Sequence, residues 1–143
     1  MKLFGTDGIR GKVGESPITT VDMKKIGFAI AKSMPGEIVH ISNDGRLSSE
    51  IIQRGLEEGI LNFEFNKVQR HGLLSTPALS YFLNRSRSNE LKCGIQITAS
   101  HNPYQDNGIK VFDNNGLKIT EEQESRIGYI FNNYDNRYGK NFF

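Results

Sequence analysis

The stretch GIQITASHNPYQDNGIKVF, residues 94–112, consists of two alternating apolar runs separated by a polar turn. Ile95 and Ile97 alternate with polar neighbours as a strand does. Asn102, Pro103 and the Asp106-Asn107-Gly108 cluster then supply turn chemistry before Ile109, Val111 and Phe112 resume the pattern. So short a turn predicts that the Asp106–Phe112 strand runs antiparallel beside its predecessor. Ser100 and His101 fall in the turn, where a loop on a rigid sheet edge holds a reactive group within reach of a substrate.

Outward from this stretch, helix and strand signals alternate. On the N-terminal side, Thr19 or Thr20 is placed to cap a helix with Ile26, Ala29, Ile30 and Met34 on its apolar face, ended by Pro35-Gly36. A strand at Glu37–Ser42 follows, then a helix capped by Ser48 or Ser49 with Ile52, Leu56 and Ile60 at four-residue spacing. Phe63–Val68 reads as the next strand. Ser75 or Thr76 caps a third helix, with Pro77 at its first position and Leu79, Phe82 and Leu83 facing inward. On the C-terminal side, Thr120 and Gln123 form a capping pair for a helix that buries Ile127, Ile130, Phe131 and Tyr134. Such alternation predicts an α/β fold: a three-layer α/β/α sandwich around a mixed, mainly parallel sheet.

The 143 residues fit one domain, and an apolar fraction of 36% supports a modest core. A net charge of +2 without a dense run of Lys and Arg argues against nucleic-acid binding. Cys93, the single cysteine, has no intramolecular partner and reads as a small buried hydrophobe. The opening MKLFGTDG is broken by Gly and Asp before a signal-peptide core could form, and no later run reaches membrane-spanning length. A cytoplasmic location and no membrane partner are the expectations.

Four loops carry groups suited to phosphate: Phe4–Gly11, Ser42–Leu47, His71–Pro77 and Thr98–Pro103. Loops that follow the strands of a parallel sheet gather on one rim. Arg10 and Arg46 are bidentate donors, Gly5, Gly8, Gly45 and Gly72 let backbone N–H groups approach, and Ser100 supplies a hydroxyl. Arg46 also reads as a brace, pairing with Asp44 or Asp7. His40 and His71 carry no specific signal.

TASHNP at 98–103, trailed by DNGIKVF, resembles the active-serine loop of the α-D-phosphohexomutase superfamily. The opening FGTDGIRG resembles its phosphoglucosamine mutase branch more than the phosphoglucomutase and phosphomannomutase branches. SNDGRLS and GLLSTPA sit where the superfamily has its Asp-x-Arg and Thr-Pro-Ala segments, so the likeness covers nearly the whole chain. It implies that Ser100 carries a phosphoryl group between glucosamine 6-phosphate and glucosamine 1-phosphate through glucosamine 1,6-bisphosphate, which also serves as activator. By the same resemblance the product is expected to feed UDP-N-acetylglucosamine and cell-wall precursors. Arg10 and Lys110 match positions the superfamily places near that phosphate, with Lys110 a candidate for proton transfer or charge stabilisation. His101, adjacent to the serine, is expected to support the loop.

The resemblance further implies a deficit. Superfamily members have four domains, and residues 1–143 match only the first, which bears the active serine. Mg²⁺ is implied on the phosphate of Ser100 together with an Asp-x-Asp-x-Asp loop of the second domain, and this sequence contains no such triplet. The chain alone is therefore expected to be inactive as a mutase. Its implied partners are a phosphosugar and the three remaining domains of the same protein. The face with Tyr134, Tyr138, Phe142 and Phe143 is a candidate for homo-oligomerisation. A non-catalytic phosphate-binding module would use Arg10, Arg46 and the glycine turns equally well. A Ser–His hydrolase fits poorly, because Ser100 and His101 are adjacent, the G-x-S-x-G elbow is absent and no acid is placed to orient the imidazole.

Overall fold

The structure, a computed structural model, describes residues 2–86 and 88–134. Nine elements follow one another: β1 (Ile9–Lys12), α1 (Thr20–Ser33), β2 (Ile38–Asn43), α2 (Ser49–Leu61), β3 (Lys67–Leu73), α3 (Thr76–Arg85), β4 (Leu91–Ile97), β5 (Asp106–Phe112) and α4 (Glu121–Asn132). The five strands form one sheet in the order β1-β5-β4-β2-β3. β2 pairs parallel with β3 and β4, while β5 runs antiparallel to both β4 and β1. Four strands thus point one way and β5 the other, the mixed, mainly parallel sheet that the alternation predicts.

Helices cover both faces. Ile26, Ile30, Leu56, Ile60, Ile127 and Phe131 from α1, α2 and α4 close over Val39, Ile41, Cys93, Ile95 and Ile109 on one face. α3 covers the other, where Leu79 and Leu83 pack with Leu91. All seven residues of β4 are buried, as suits a central strand with helices on both sides. α1 and α2 touch through glycines: a Cβ on Gly59 would lie 1.9 Å from the Lys24 carbonyl oxygen, and one on Gly27 2.3 Å from that of Leu56. The helix starts are set by side chains. The Thr19 hydroxyl accepts from the Asp22 N–H, the Ser75 hydroxyl from the Ala78 N–H, and Thr120 with Gln123 forms a full capping box.

The structure corrects several boundaries. Phe63–Asn66 is a turn rather than a strand, because Glu64 adopts a φ of 48° and Phe63 turns inward, edge-on to Phe28 at 5.7 Å. Phe65, which completed the apparent alternation, is 87% exposed. β3 starts at Lys67 instead and runs through His71 to Leu73, into a segment expected as loop. Ile9–Lys12 of the glycine-rich opening is an edge strand, since β5 offers it a free ladder. Ser48 occupies the N-cap position of α2 without capping, its hydroxyl accepting instead from the Asn107 amide at 2.8 Å. Pro77 follows Thr76 in the first turn of α3 and is not its first residue. Tyr134 lies half-buried beyond α4 with its ring edge-on to Phe28 at 5.6 Å, whereas Tyr138, Phe142 and Phe143 lie outside the described residues.

Candidate active site

The loop after β4 is tightly turned because its polar groups close on each other. The Thr98 N–H donates to the Gly108 carbonyl at 2.9 Å, the Asn102 N–H to Ala99 at 3.0 Å and the Asp106 N–H to Pro103 at 2.9 Å. Asn102 also bonds Asp106 side chain to side chain at 3.1 Å. Ala99 is buried and Ser100 exposed, so the hydroxyl stands at the surface immediately beyond the core. Ser100 adopts a φ of 50°, in the left-handed region that non-glycine residues rarely enter.

Arg10 reaches this hydroxyl from β1. Its Nη2 donates to Ser100 Oγ at 2.9 Å and its Nη1 to the Ala99 carbonyl at 3.3 Å. β1 follows the direction of β4, so its C-terminal half lies on the rim where β4 ends, and the pairing of Arg10 with Gly108 fixes its position there. Arg46 arrives from the loop after β2. Its guanidinium pairs with Asp44 at 3.3 Å, as the sequence suggests, and also donates to the Ser100, Pro103 and Asp106 carbonyls at 2.9, 2.7 and 3.1 Å. Asp44 in turn accepts from the Thr98 hydroxyl at 2.8 Å.

Lys110 lies two residues beyond Gly108 on β5, and its side chain therefore leaves the same face of the sheet as that of Arg10. It lines a 280 Å³ cavity with Thr6, Asp7, Gly8, Thr76 and Lys118. No hydrogen bond or ion pair links its ammonium to a described residue. Gly8 is required at the wall of this cavity: its φ is 96°, and a Cβ there would lie 2.3 Å from the Ile109 carbonyl oxygen. Beside Lys110 runs a buried polar pair, in which Ser42 donates to Gln96 Oε1 and Gln96 Nε2 donates to the Leu74 carbonyl at 2.8 Å.

All four sequence-selected loops thus adjoin one rim. Ser100 and Arg10 are brought into contact, while Lys110 stands nearby in its cavity without bonding to Ser100. His101 is exposed, and its ring bonds neither Ser100 nor any other described residue. Because the partner of Ser100 Oγ is a permanent cation, the site lacks the base a Ser–His hydrolase needs. Thr98, and the grip of Arg46 on the Ser100 carbonyl, are features of the loop that sequence reasoning did not single out. The Asp44-Gly45-Arg46 spacing signalled the ion pair alone, since the other contacts cross more than 50 residues of sequence.

Residues 1–138 match the family described as phosphoglucomutase/phosphomannomutase, alpha/beta/alpha domain I. Phosphoglucosamine mutase 2 of Shewanella amazonensis is 45% identical over 130 residues, which make up 88% of this chain and 28% of that protein. The phosphoglucosamine mutase of a Marinomonas species is likewise 45% identical, over 90% of this chain and 28% of its own length. Among solved structures, a phosphoglucomutase/phosphomannomutase family protein from Burkholderia thailandensis superimposes with a TM-score of 0.76 at 25% identity. That match covers 92% of this chain and 30% of the other. The chain spans about 28% of the length of the curated relatives it matches.

Proposed function

Because the chain belongs to the phosphoglucomutase/phosphomannomutase family, as its α/β/α domain I, we propose that it is the phosphoryl-carrying domain of a phosphoglucosamine mutase. Its role in that enzyme is to interconvert glucosamine 6-phosphate and glucosamine 1-phosphate. The observation that carries this reading is the contact of Arg10 Nη2 with the exposed, left-handed Ser100 hydroxyl. Identity of 45% to two phosphoglucosamine mutases favours the amino sugar over other hexoses.

In the proposed half-reaction Ser100 Oγ forms a bond to phosphorus as the bond from phosphorus to a sugar oxygen of glucosamine 1,6-bisphosphate breaks. The hydroxyl proton leaves Ser100, and the released sugar oxygen takes one up, so the sugar departs as a monophosphate. Reversal with the other sugar oxygen completes the isomerisation. Phosphoryl transfer asks the protein chiefly for positioning and for positive charge around the transferred group. Arg10 supplies a guanidinium donor at the oxygen that is loaded, and Lys110 a cation for charge stabilisation or proton transfer. A Mg²⁺ ion on the phosphoryl oxygens would add neutralising charge. Among the described residues, however, no three carboxylate, imidazole or thiol groups come together to hold a metal. The phosphate of Ser100 would be one ligand, and the described residues offer no such cluster to complete the cation site.

The test is intact mass and peptide mapping after incubation with glucosamine 1,6-bisphosphate and Mg²⁺. One phosphate on Ser100, lost in Ser100→Ala, is the expected result. No adduct, or an adduct on another residue that persists in Ser100→Ala, would overturn the proposal.

A further inference from the structure

Ser100 holds a φ of 50° although it carries a side chain, and such a conformation persists only where its surroundings over-determine it. The surroundings form a closed ring of hydrogen bonds. The Ser100 N–H donates to Thr98 Oγ1 at 3.0 Å, and that hydroxyl donates to Asp44 Oδ2 at 2.8 Å. The same carboxylate oxygen accepts from Arg46 Nε at 3.3 Å, and Arg46 Nη2 returns to the Ser100 carbonyl at 2.9 Å. The ring starts and ends on one residue and grips it by both its backbone donor and its backbone acceptor. Arg46 Nη1 pins the far side of the loop through the Pro103 and Asp106 carbonyls. The arginine side chain is only 15% exposed, while its bonds to the Ser100 and Pro103 carbonyls lie at the surface.

The ring never touches Ser100 Oγ, which belongs to Arg10. We infer that Arg46, Asp44 and Thr98 are positioning residues that fix the backbone of Ser100 in one geometry whether its oxygen is free or phosphorylated. Arg10 is then the residue that meets the changing group. The inference rests on the phosphoryl-carrier reading above. A small misplacement of a reacting oxygen is costly in transfer reactions, which gives the ring its purpose. Lysine cannot replace Arg46, because a point charge lacks the planar fork that serves a carboxylate and three carbonyls together.

The experiment is NMR on the isotope-labelled chain, reading the strong intraresidue amide–Hα NOE that a positive φ gives Ser100, with thermal melts to confirm folding. Arg46→Lys and Thr98→Val are expected to melt cooperatively yet lose that signature, while Thr98→Ser keeps it. If Thr98→Val does not fold, Asp44→Asn, which conserves volume, carries the same comparison. Phosphate uptake by Ser100 from glucosamine 1,6-bisphosphate should slow by about tenfold or more in Arg46→Lys and Thr98→Val and be restored in Thr98→Ser. Retention of the signature in Arg46→Lys and in the folded Thr98 or Asp44 variant overturns the ring, as does unchanged uptake. If the wild-type chain takes up no phosphate, the carrier reading fails and the NOE alone decides the ring.

Discussion

Two imidazoles lie between the sheet and α3, His40 on β2 and His71 on β3, with Nδ1 of one 2.8 Å from Nε2 of the other. Phe82 covers both rings at 5.1 and 4.7 Å. Burial holds His40 down at about 4, reinforced by the charge of His71, and burial lowers His71 as well. Both therefore favour the neutral form in the folded chain, and the unfolded chain binds more protons from about 6.5 down to 4. Stability is complete above pH 6.5 and declines as pH falls through that window, at roughly 1.4 kcal/mol per pH unit for each proton taken up on unfolding. Urea unfolding should show a loss of about 1 to 2 kcal/mol between pH 7 and pH 5, smaller in His71→Asn; equal losses in the two proteins would remove the pair as the cause. At this same scale the family resemblance set both Arg10 and Lys110 near Ser100, and the structure joins Arg10 to it in one hydrogen bond across 90 residues of chain. Cys93 is fully buried with its thiol pushed up to about 12 by desolvation, which matches the small hydrophobe read from its apolar neighbours.

At the scale of elements, α1 and α2 form a backbone-close pair whose geometry is set by what is missing from their surfaces. Gly59 lies so near α1 that any Cβ would strike the Lys24 carbonyl, and a backbone atom yields less readily than a side-chain tip. Gly59→Ala gains helix propensity of about 1 kcal/mol, but this is outweighed by overpacking of roughly 1 to 3 kcal/mol. A lowered melting temperature is expected, and an unchanged or raised one would show that the helices separate freely. The end of α1 is held differently. Lys92 is 3% exposed and donates to the Ala31 and Met34 carbonyls at 2.5 and 2.6 Å, satisfying acceptors that the helix leaves open. Helix extents were legible because caps and four-residue spacing are local. Strand limits were less so: the Phe63-x-Phe65 alternation looks like a strand until the inward turn of Phe63 against Phe28 is known. Likewise β1 has only four residues and depends on β5 for its pairing.

At the scale of the whole molecule, the chain spans about 28% of its curated relatives and provides one rim of a site. That rim offers a hydroxyl and cations, and no three potential metal-binding groups cluster among the described residues. A coupled assay for glucosamine 1-phosphate, run on this chain with the sugar bisphosphate and Mg²⁺, is expected to show no turnover. Turnover near that of a full-length mutase would mean that the rim suffices. The described helices include none long and apolar enough to cross a membrane. The order of residues was enough to establish the α/β class, the antiparallel return after Ser100, the caps of α1, α3 and α4 and the loops with groups suited to phosphate, because each rests on contacts within a few positions of chain. Only the tertiary structure decided which cation meets Ser100 and that Arg46, Asp44 and Thr98 close a ring around it. It also decided that His40 and His71 share a buried contact. Those partners come from different strands and loops, and their distances exist only once the sheet has placed β1, β2 and β3 around β4 and β5.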